Sequence, residues 1–278
     1  MNTTIGMIVL NEAQFIEANL KQHYELVDNI VIVEGADRLY PKTNVTEDGL
    51  STDDTAEIIR NFPDIDHKIK FIQHGWTHIG GEQAKCELRN RYMEDILSGL
   101  LIAVDADEFY RFSDLKEAKH NAAKQSQHHA WLYPQIHFWR NTKTFITGGY
   151  YDVPHIRFWR VRDGDRYTVN HNHPYRNGKS VHRLDCVDIR RNIIQASRDS
   201  HYVPGPVCYH MGFCKPHTSM TDKSEYYLNR GEGASRIETT ASRAAWFGDD
   251  TNLPKELRLL KYGGPLPEVF QAHDILVR

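Results

Sequence analysis

The stretch LLIAVDADEFY, Leu100 to Tyr110, runs five apolar residues straight into three carboxylates, Asp105, Asp107 and Glu108. In extended backbone, residues i and i+2 point to the same side, so Asp105 and Asp107 can face a single point. Two like charges that close repel each other unless a cation lies near them. Mg²⁺ and Mn²⁺ accept carboxylate oxygens and complete their shells with substrate phosphate and water. The pair therefore suits a divalent cation held at the end of a strand. The plain alternative is a solvated loop with N-capping aspartates, because a motif this short also matches by chance.

The elements that must position these groups are legible as alternating patterns. TIGMIVL, NIVIVEG, KIKFIQH and GLLIAVDADEF are short apolar runs without helical period, and they read as strands. Between them, EAQFIEANLKQHYEL, STDDTAEIIRNF and GEQAKCELRNRYMEDILS read as helices, the last with Ala84, Leu88, Met93 and Leu97 facing inward. This β-α-β-α-β-α-β order predicts an α/β fold with a mainly parallel sheet and helices on both faces. Ligands of such sheets bind beyond the carboxyl ends of the strands. That rule puts Asn11, Glu12, Glu34, His74 and the carboxylates on one rim.

The second half is aromatic. HAWLYPQIHFWR, PHIRFWRVR and VCYHMGF read as added strands that join or extend the same sheet. SEYYLNRGEGASRIETTASRAAWF reads as a helix broken near Gly231 and Gly233, and the tail with Pro254, Pro265 and Pro267 as a wrapping extension. Trp139 beside Arg140 and Trp159 beside Arg160 are either sugar-stacking platforms or core.

The totals exclude several classes. The chain has 278 residues and a formal charge of −3, which gives no general affinity for nucleic acid or anionic membrane. No run approaches the ~20 apolar residues of a spanning helix, and the early apolar run, Ile5 to Leu10, is too short for a signal peptide. Cys86, Cys186, Cys208 and Cys214 show no zinc spacing and read as reduced thiols, so a cytoplasmic location is expected.

Four pieces, in order, resemble the nucleotide-sugar glycosyltransferases of the GT-A fold, family-2-like enzymes above all. MIVLNEAQFIEANL is similar to their first strand and helix. IVIVEG and LSTDDTAEII are similar to their second strand and following turn, here split by an insertion from Ala36 to Leu50. AKCELRNRYM is similar to their Ala-Lys-x-x-x-Arg-Asn helix, and LLIAVDADEF to their Asp-x-Asp strand. The match covers roughly residues 5 to 110 and is weaker through GGYYDVPHIRFWRVRDG and VCYHMGF.

The resemblance implies a GT-A type, Rossmann-like domain. Residues 1–115 would be its nucleotide-sugar-binding half, and 116–278 its acceptor-binding half and C-terminal extension. It implies transfer of a sugar from a nucleoside-diphosphate sugar to a hydroxyl acceptor, for instance on a glycan. Asp107 would bind the metal, Asp105 the ribose or the metal, and His210 would complete the metal site. Imidazole with carboxylate suits Mn²⁺ better than Mg²⁺. Asn11, Glu12, Glu34, Lys85 and Arg89 would contact the nucleotide-sugar. Family members carry an acidic general base near the position of VNHNHPY, but no carboxylate stands there. The candidates are His173 first, His171 second and Asp152 third, with Asp185 also available. The departure leaves inversion open. It also keeps a non-catalytic sugar-nucleotide or glycan-binding module as an alternative. A nucleotidyltransferase is the other alternative, opposed by the absence of glycine from VLNEAQF.

Overall fold

The computed structural model describes residues 1–152, 155–172, 174–180, 186–188, 206–215, 217–230, 253, 255 and 257–272. In chain order the elements begin β1 (Thr3–Val9), α1 (Ile16–His23), β2 (Asn29–Glu34), α2 (Thr55–Asn61), β3 (Ile69–Gln73), α3 (Glu82–Met93), β4 (Gly99–Ala103). They continue β5 (Glu108–Phe109), α4 (Phe112–Lys124), β6 (Ala130–Leu132), β7 (Gln135–Trp139), β8 (Asn141–Thr147), β9 (Ile156–Val161), β10 (Tyr175–Arg176), β11 (Lys179–Ser180), β12 (Cys186–Asp188). The last four are β13 (Cys208–Phe213), α5 (His217–Arg230), β14 (Arg258–Lys261) and α6 (Glu268–Ala272).

The alternation of the first third produces the expected parallel core. β1 lies between β4 and β2, and β2 beside β3, all parallel. Period-2 side chains split between the two faces. Ile5, Met7, Ile30, Ile32, Leu100 and Ile102 pack with α1 and α4, whereas Val31, Val33, Leu101 and Ala103 pack with α3. Gly6 sits where a Cβ would come within 2.6 Å of the Tyr92 ring, so only glycine lets α3 approach β1 this closely. Asp53 accepts from the Thr55 amide at 3.1 Å, as an N-terminal carboxylate of α2 should.

Two expectations change. Leu97 is 72% exposed, because α3 ends at Met93 and the helical period lapses before it. The aromatic strands do not all join the first sheet. β9, β6 and β12 extend it beyond β4, but β14, β8, β7, β13 and β5 form a second, five-stranded sheet. The run HAWLYPQIHFWR divides at Tyr133 and Pro134, with β6 in one sheet and β7 in the other. Proline has no N–H to continue a ladder, so the chain changes sheets there. Of the two readings of the tryptophans the core holds: Trp139 and Trp159 are 2% and 0% exposed.

The tail does wrap. Glu268, opening α6, accepts from Gln22 Nε2 of α1 at 2.7 Å and from the Phe112 amide of α4 at 3.1 Å. No helix among the described residues is long and apolar enough to cross a membrane.

Candidate active site

The chain passes from the first sheet to the second between β4 and β5, through Val104 to Asp107. This places Asp105 and Asp107 at the junction of the sheets. The buried Asn19 of α1 holds the turn. Its Nδ2 donates to the Ala106 carbonyl at 3.0 Å and the Glu108 carbonyl at 2.7 Å. Asn19 Oδ1 meets His23 Nδ1 at 2.9 Å, and the Tyr110 amide donates to His23 Nε2 at 3.3 Å. Both ring nitrogens are thus committed, with the proton on Nδ1. Burial pulls His23 down to about 3.

That shift sets an acid limit on stability. Below the unfolded value of ~6.5 the unfolded chain takes up a proton that the folded ring refuses. The contribution is complete above that pH and is lost as pH falls toward 3, at about 1.4 kcal/mol per pH unit. Urea unfolding at several pH values between 7.5 and 4.5 should show His23→Gln with a flatter pH dependence than the parent. An unchanged slope would remove His23 as a contributor.

Four carboxylates and three cations interlock at the turn. Asp105 Oδ1 lies 2.9 Å from Arg89 Nη2, and Oδ2 lies 3.4 Å from Arg157 Nη2. Burial raises the Asp105 carboxyl, but Arg89 and then Arg157 overcome it and hold the group well below its usual range. Glu108 pairs with Arg157 and accepts from Gln135 Nε2 at 3.0 Å and from the Asp105 amide at 3.1 Å. Burial holds its carboxyl above the usual value against the pull of Arg157. Removing one partner of such a buried pair strands the other charge, at about 3–5 kcal/mol, so Arg157 and Glu108 act as a unit.

Asp107 turns the other way. Its Oδ2 is 2.9 Å from Lys215 Nζ, and its Oδ1 is 3.5 Å from His210 Nε2. Burial opposes its ionisation, yet Lys215 and then His210 keep it well below the usual range. Lys215 also pairs with Glu12, whose carboxyl burial pushes up to about 7 against that ammonium. The parallel register of β13 and β7 sets His210 opposite His137, and their Nδ1 atoms are 2.7 Å apart. Burial, then the neighbouring His210, lower His137 well below its usual value. When His210 donates Nδ1–H to His137 Nδ1, its Nε2 lone pair faces Asp107. A Cβ at Gly212 would collide with the His210 ring, which explains glycine at that strand position.

Asn11, Glu12, Lys85, Asp105, Asp107, His171 and His210 line one cleft. Arg89 lies beneath it, 2% exposed, behind Asp105. Asn11 adopts φ 52°, tolerable for asparagine. Its Nδ2 donates to the Asn44 carbonyl at 2.7 Å, and its Oδ1 accepts from the Thr52 amide at 2.9 Å, so it props the insertion. Glu34 is fully buried. It accepts from the Ser51 amide at 3.0 Å and Gln73 Nε2 at 2.8 Å, fastening the end of the insertion to β3 from outside the cleft lining.

Of the candidate bases, His171 alone among the described residues lies in the cleft, where its Nδ1 pairs with Glu82. Burial, then the Lys85 charge, pull it to about 3 against Glu82. Asp152 stands outside, accepting from Thr147 Oγ1 at 2.5 Å and the Gly148 amide at 3.0 Å. His173 and Asp185 lie outside the described residues.

Sequence reasoning missed Asn19, His137, Arg157 and Lys215. It also missed Asp37, which accepts from the Gly81 amide and from Tyr226 Oη, each at 2.7 Å, at the insertion wall of the cleft. The one available signal was Arg157, a charge inside the apolar alternation of PHIRFWRVR.

No family model matches the chain, and no curated protein matches it. Solved structures do. S. aureus TarS 1–349 is 9% identical with a TM-score of 0.39, over 90% of this chain and 73% of that one. Mannosyltransferase PcManGT from Pyrobaculum calidifontis, in complex with GDP-Man and Mn²⁺, is 14% identical with a TM-score of 0.45, over 90% and 73%. Glucosyl-3-phosphoglycerate synthase from Mycobacterium tuberculosis, in complex with Mn²⁺, UDP and glucosyl-3-phosphoglycerate, is 12% identical with a TM-score of 0.32, over 49% and 44%. At these identities and TM-scores they are likenesses of chain trace, and no substrate passes from them to this chain.

Proposed function

We propose that this chain is a metal-dependent glycosyltransferase of GT-A type, moving a sugar from a nucleoside-diphosphate sugar to an acceptor hydroxyl such as that of a glycan. The observation that carries the reading is the Asp107, His210 and His137 arrangement at the carboxyl end of the parallel sheet. A carboxylate oxygen and an imidazole nitrogen 3.5 Å apart can share one cation. The second imidazole fixes the ligating tautomer, as partners of metal-bound histidine commonly do. The donor set fits Mn²⁺, with Asp107 and His210 as the protein ligands. When bound, the cation neutralises the diphosphate leaving group as a Lewis acid.

The remaining groups have roles that follow from their surroundings. Lys215, buried between Glu12 and Asp107, supplies fixed positive charge for phosphate. Arg157 has an Nη1 with no hydrogen-bond partner among the described residues, a donor for the sugar or a phosphate oxygen. Asp105, clamped by two guanidinium groups but 31% exposed, presents its carboxylate to the ribose. Glu82 holds His171 by Nδ1–H, leaving Nε2 to take the acceptor's proton. The low pKa of His171 favours a second reading, a sugar-nucleotide-binding module without turnover, because a group near 3 is a weak base.

A thermal-shift screen of nucleoside diphosphates and their sugars, with Mn²⁺ or with EDTA, tests the site. A nucleotide at 100 times its Kd stabilises by about 2.7 kcal/mol, and the shift should vanish in EDTA. No shift with any nucleotide in either condition would overturn both readings. Sugar transfer by the protein with Mn²⁺ separates the enzyme from the binding module.

A further inference from the structure

His74, His78 and Glu87 converge away from the cleft, and none of them lines it. His74 directly follows β3, His78 lies in the turn toward α3, and Glu87 is on α3. His74 Nε2 is 2.9 Å and His78 Nδ1 is 2.7 Å from the same oxygen, Glu87 Oε1. One ligand atom from each residue lies within 4.8 Å of the other two. The His78 amide already donates to both Glu87 oxygens, at 3.1 and 3.0 Å. The carboxylate is therefore anchored without either ring. Yet the His78 side chain, 86% exposed, still turns inward to it.

The geometry points to a second metal site, in which His74 Nε2, His78 Nδ1 and Glu87 Oε1 bind Zn²⁺ or a similar borderline divalent cation. Two imidazole nitrogens and one carboxylate oxygen form a tetrahedral zinc donor set with one position left for water. The same set disfavours Mg²⁺, which takes oxygen ligands in octahedral geometry. Zinc bonds of about 2.0–2.1 Å place tetrahedral donor atoms about 3.3 Å apart. The two nitrogens must therefore retreat from Oε1 by roughly half an ångström. His78 sits in a turn at the surface and can make that adjustment. The cation takes the place of the protons shared between the rings and the carboxylate.

The site's position gives it a structural consequence. The turn that carries both histidines braces the insertion. The Ala36 amide donates to the Gly75 carbonyl at 3.1 Å, Trp76 N–H to the Asp48 carbonyl at 3.1 Å, and Thr77 N–H to the Ala36 carbonyl at 2.9 Å. Asp37 of the insertion and Lys85 of α3 stand on the cleft wall. A cation joining the turn to α3 therefore clips together two walls of the cleft. It reacts with nothing, and the inference does not depend on the transferase reading.

The test is calorimetric titration of Zn²⁺ into the Asp107→Ala/His210→Ala chain, which lacks the other candidate ligands. One tight equivalent should remain. Adding His78→Ala, a change at an exposed side chain that leaves the fold intact, should weaken it by more than about tenfold. Glu87→Gln, which preserves shape, should do the same, while millimolar Mg²⁺ should not compete. Absence of tight binding in the double-variant background would overturn the site. So would tight binding that both further substitutions leave unchanged.

Discussion

Asp107→Ala should abolish the Mn²⁺-dependent binding of a nucleoside diphosphate while the chain stays folded. Asp107 is the one carboxylate of the turn not committed to a guanidinium: Asp105 is held by Arg89 and Arg157, and Glu108 by Arg157. Neither of the turn's other two carboxylates is therefore free to replace it. The loss should exceed about 10²-fold, since even outer partners of metal ligands cost 10- to 100-fold. His210→Ala should cost less, because it removes a neutral donor and leaves the anionic one. Lys215 keeps its partner Glu12 in the Asp107 variant, so no buried ammonium is stranded. Calorimetry with and without EDTA reads the result, and circular dichroism checks the fold. Metal-dependent binding that survives in Asp107→Ala would end the assignment of this turn as the metal site.

The two halves of the chain were unequally legible. β1 to β4 and their helices follow from local periodicity, because each strand is an apolar run bounded by polar turns and each helix shows one face. The carboxylates were legible for the same reason, as charge placed directly after a buried run. The rest of the site depends on pairing that no local pattern carries. His137 and His210 meet only because β7 and β13 align in that register. Arg157 reaches Asp105 because β9 lies antiparallel to β4. Lys215 comes to Glu12 across a separation of 203 residues. Glu34 shows the converse. The strand-end rule placed it on the rim, but its carboxylate turns to the Ser51 amide and Gln73, a choice set by the insertion. Within HAWLYPQIHFWR the change of sheet falls at Pro134, between β6 and β7, which a reading by alternation alone passed over.

His171→Ala should lower sugar transfer by ~10²–10⁴ while leaving nucleotide affinity intact. The ring stands in the cleft on a loop after β9, whereas Asp107 and His210 belong to the β4–β5 turn and β13, so its loss leaves the metal ligands in place. Glu82→Gln should show a smaller loss, because an amide can still accept from Nδ1–H but no longer stabilises the imidazolium formed in the reaction. The pH profile adds an independent reading. With its pKa near 3, His171 stays neutral down to moderate acidity, so its protonation should not reduce transfer between pH 7 and pH 5. An acid limb in that interval would belong to another group, and burial has put Glu12 near 7. Full turnover in His171→Ala would dismiss it as the base, leaving His173, a base elsewhere or a retaining mechanism. Loss of affinity together with turnover would identify the His171–Glu82 pair as a brace between the loop after β9 and α3. Only loss of turnover alone separates the two roles, because a brace supports binding and reaction equally and a base supports the reaction.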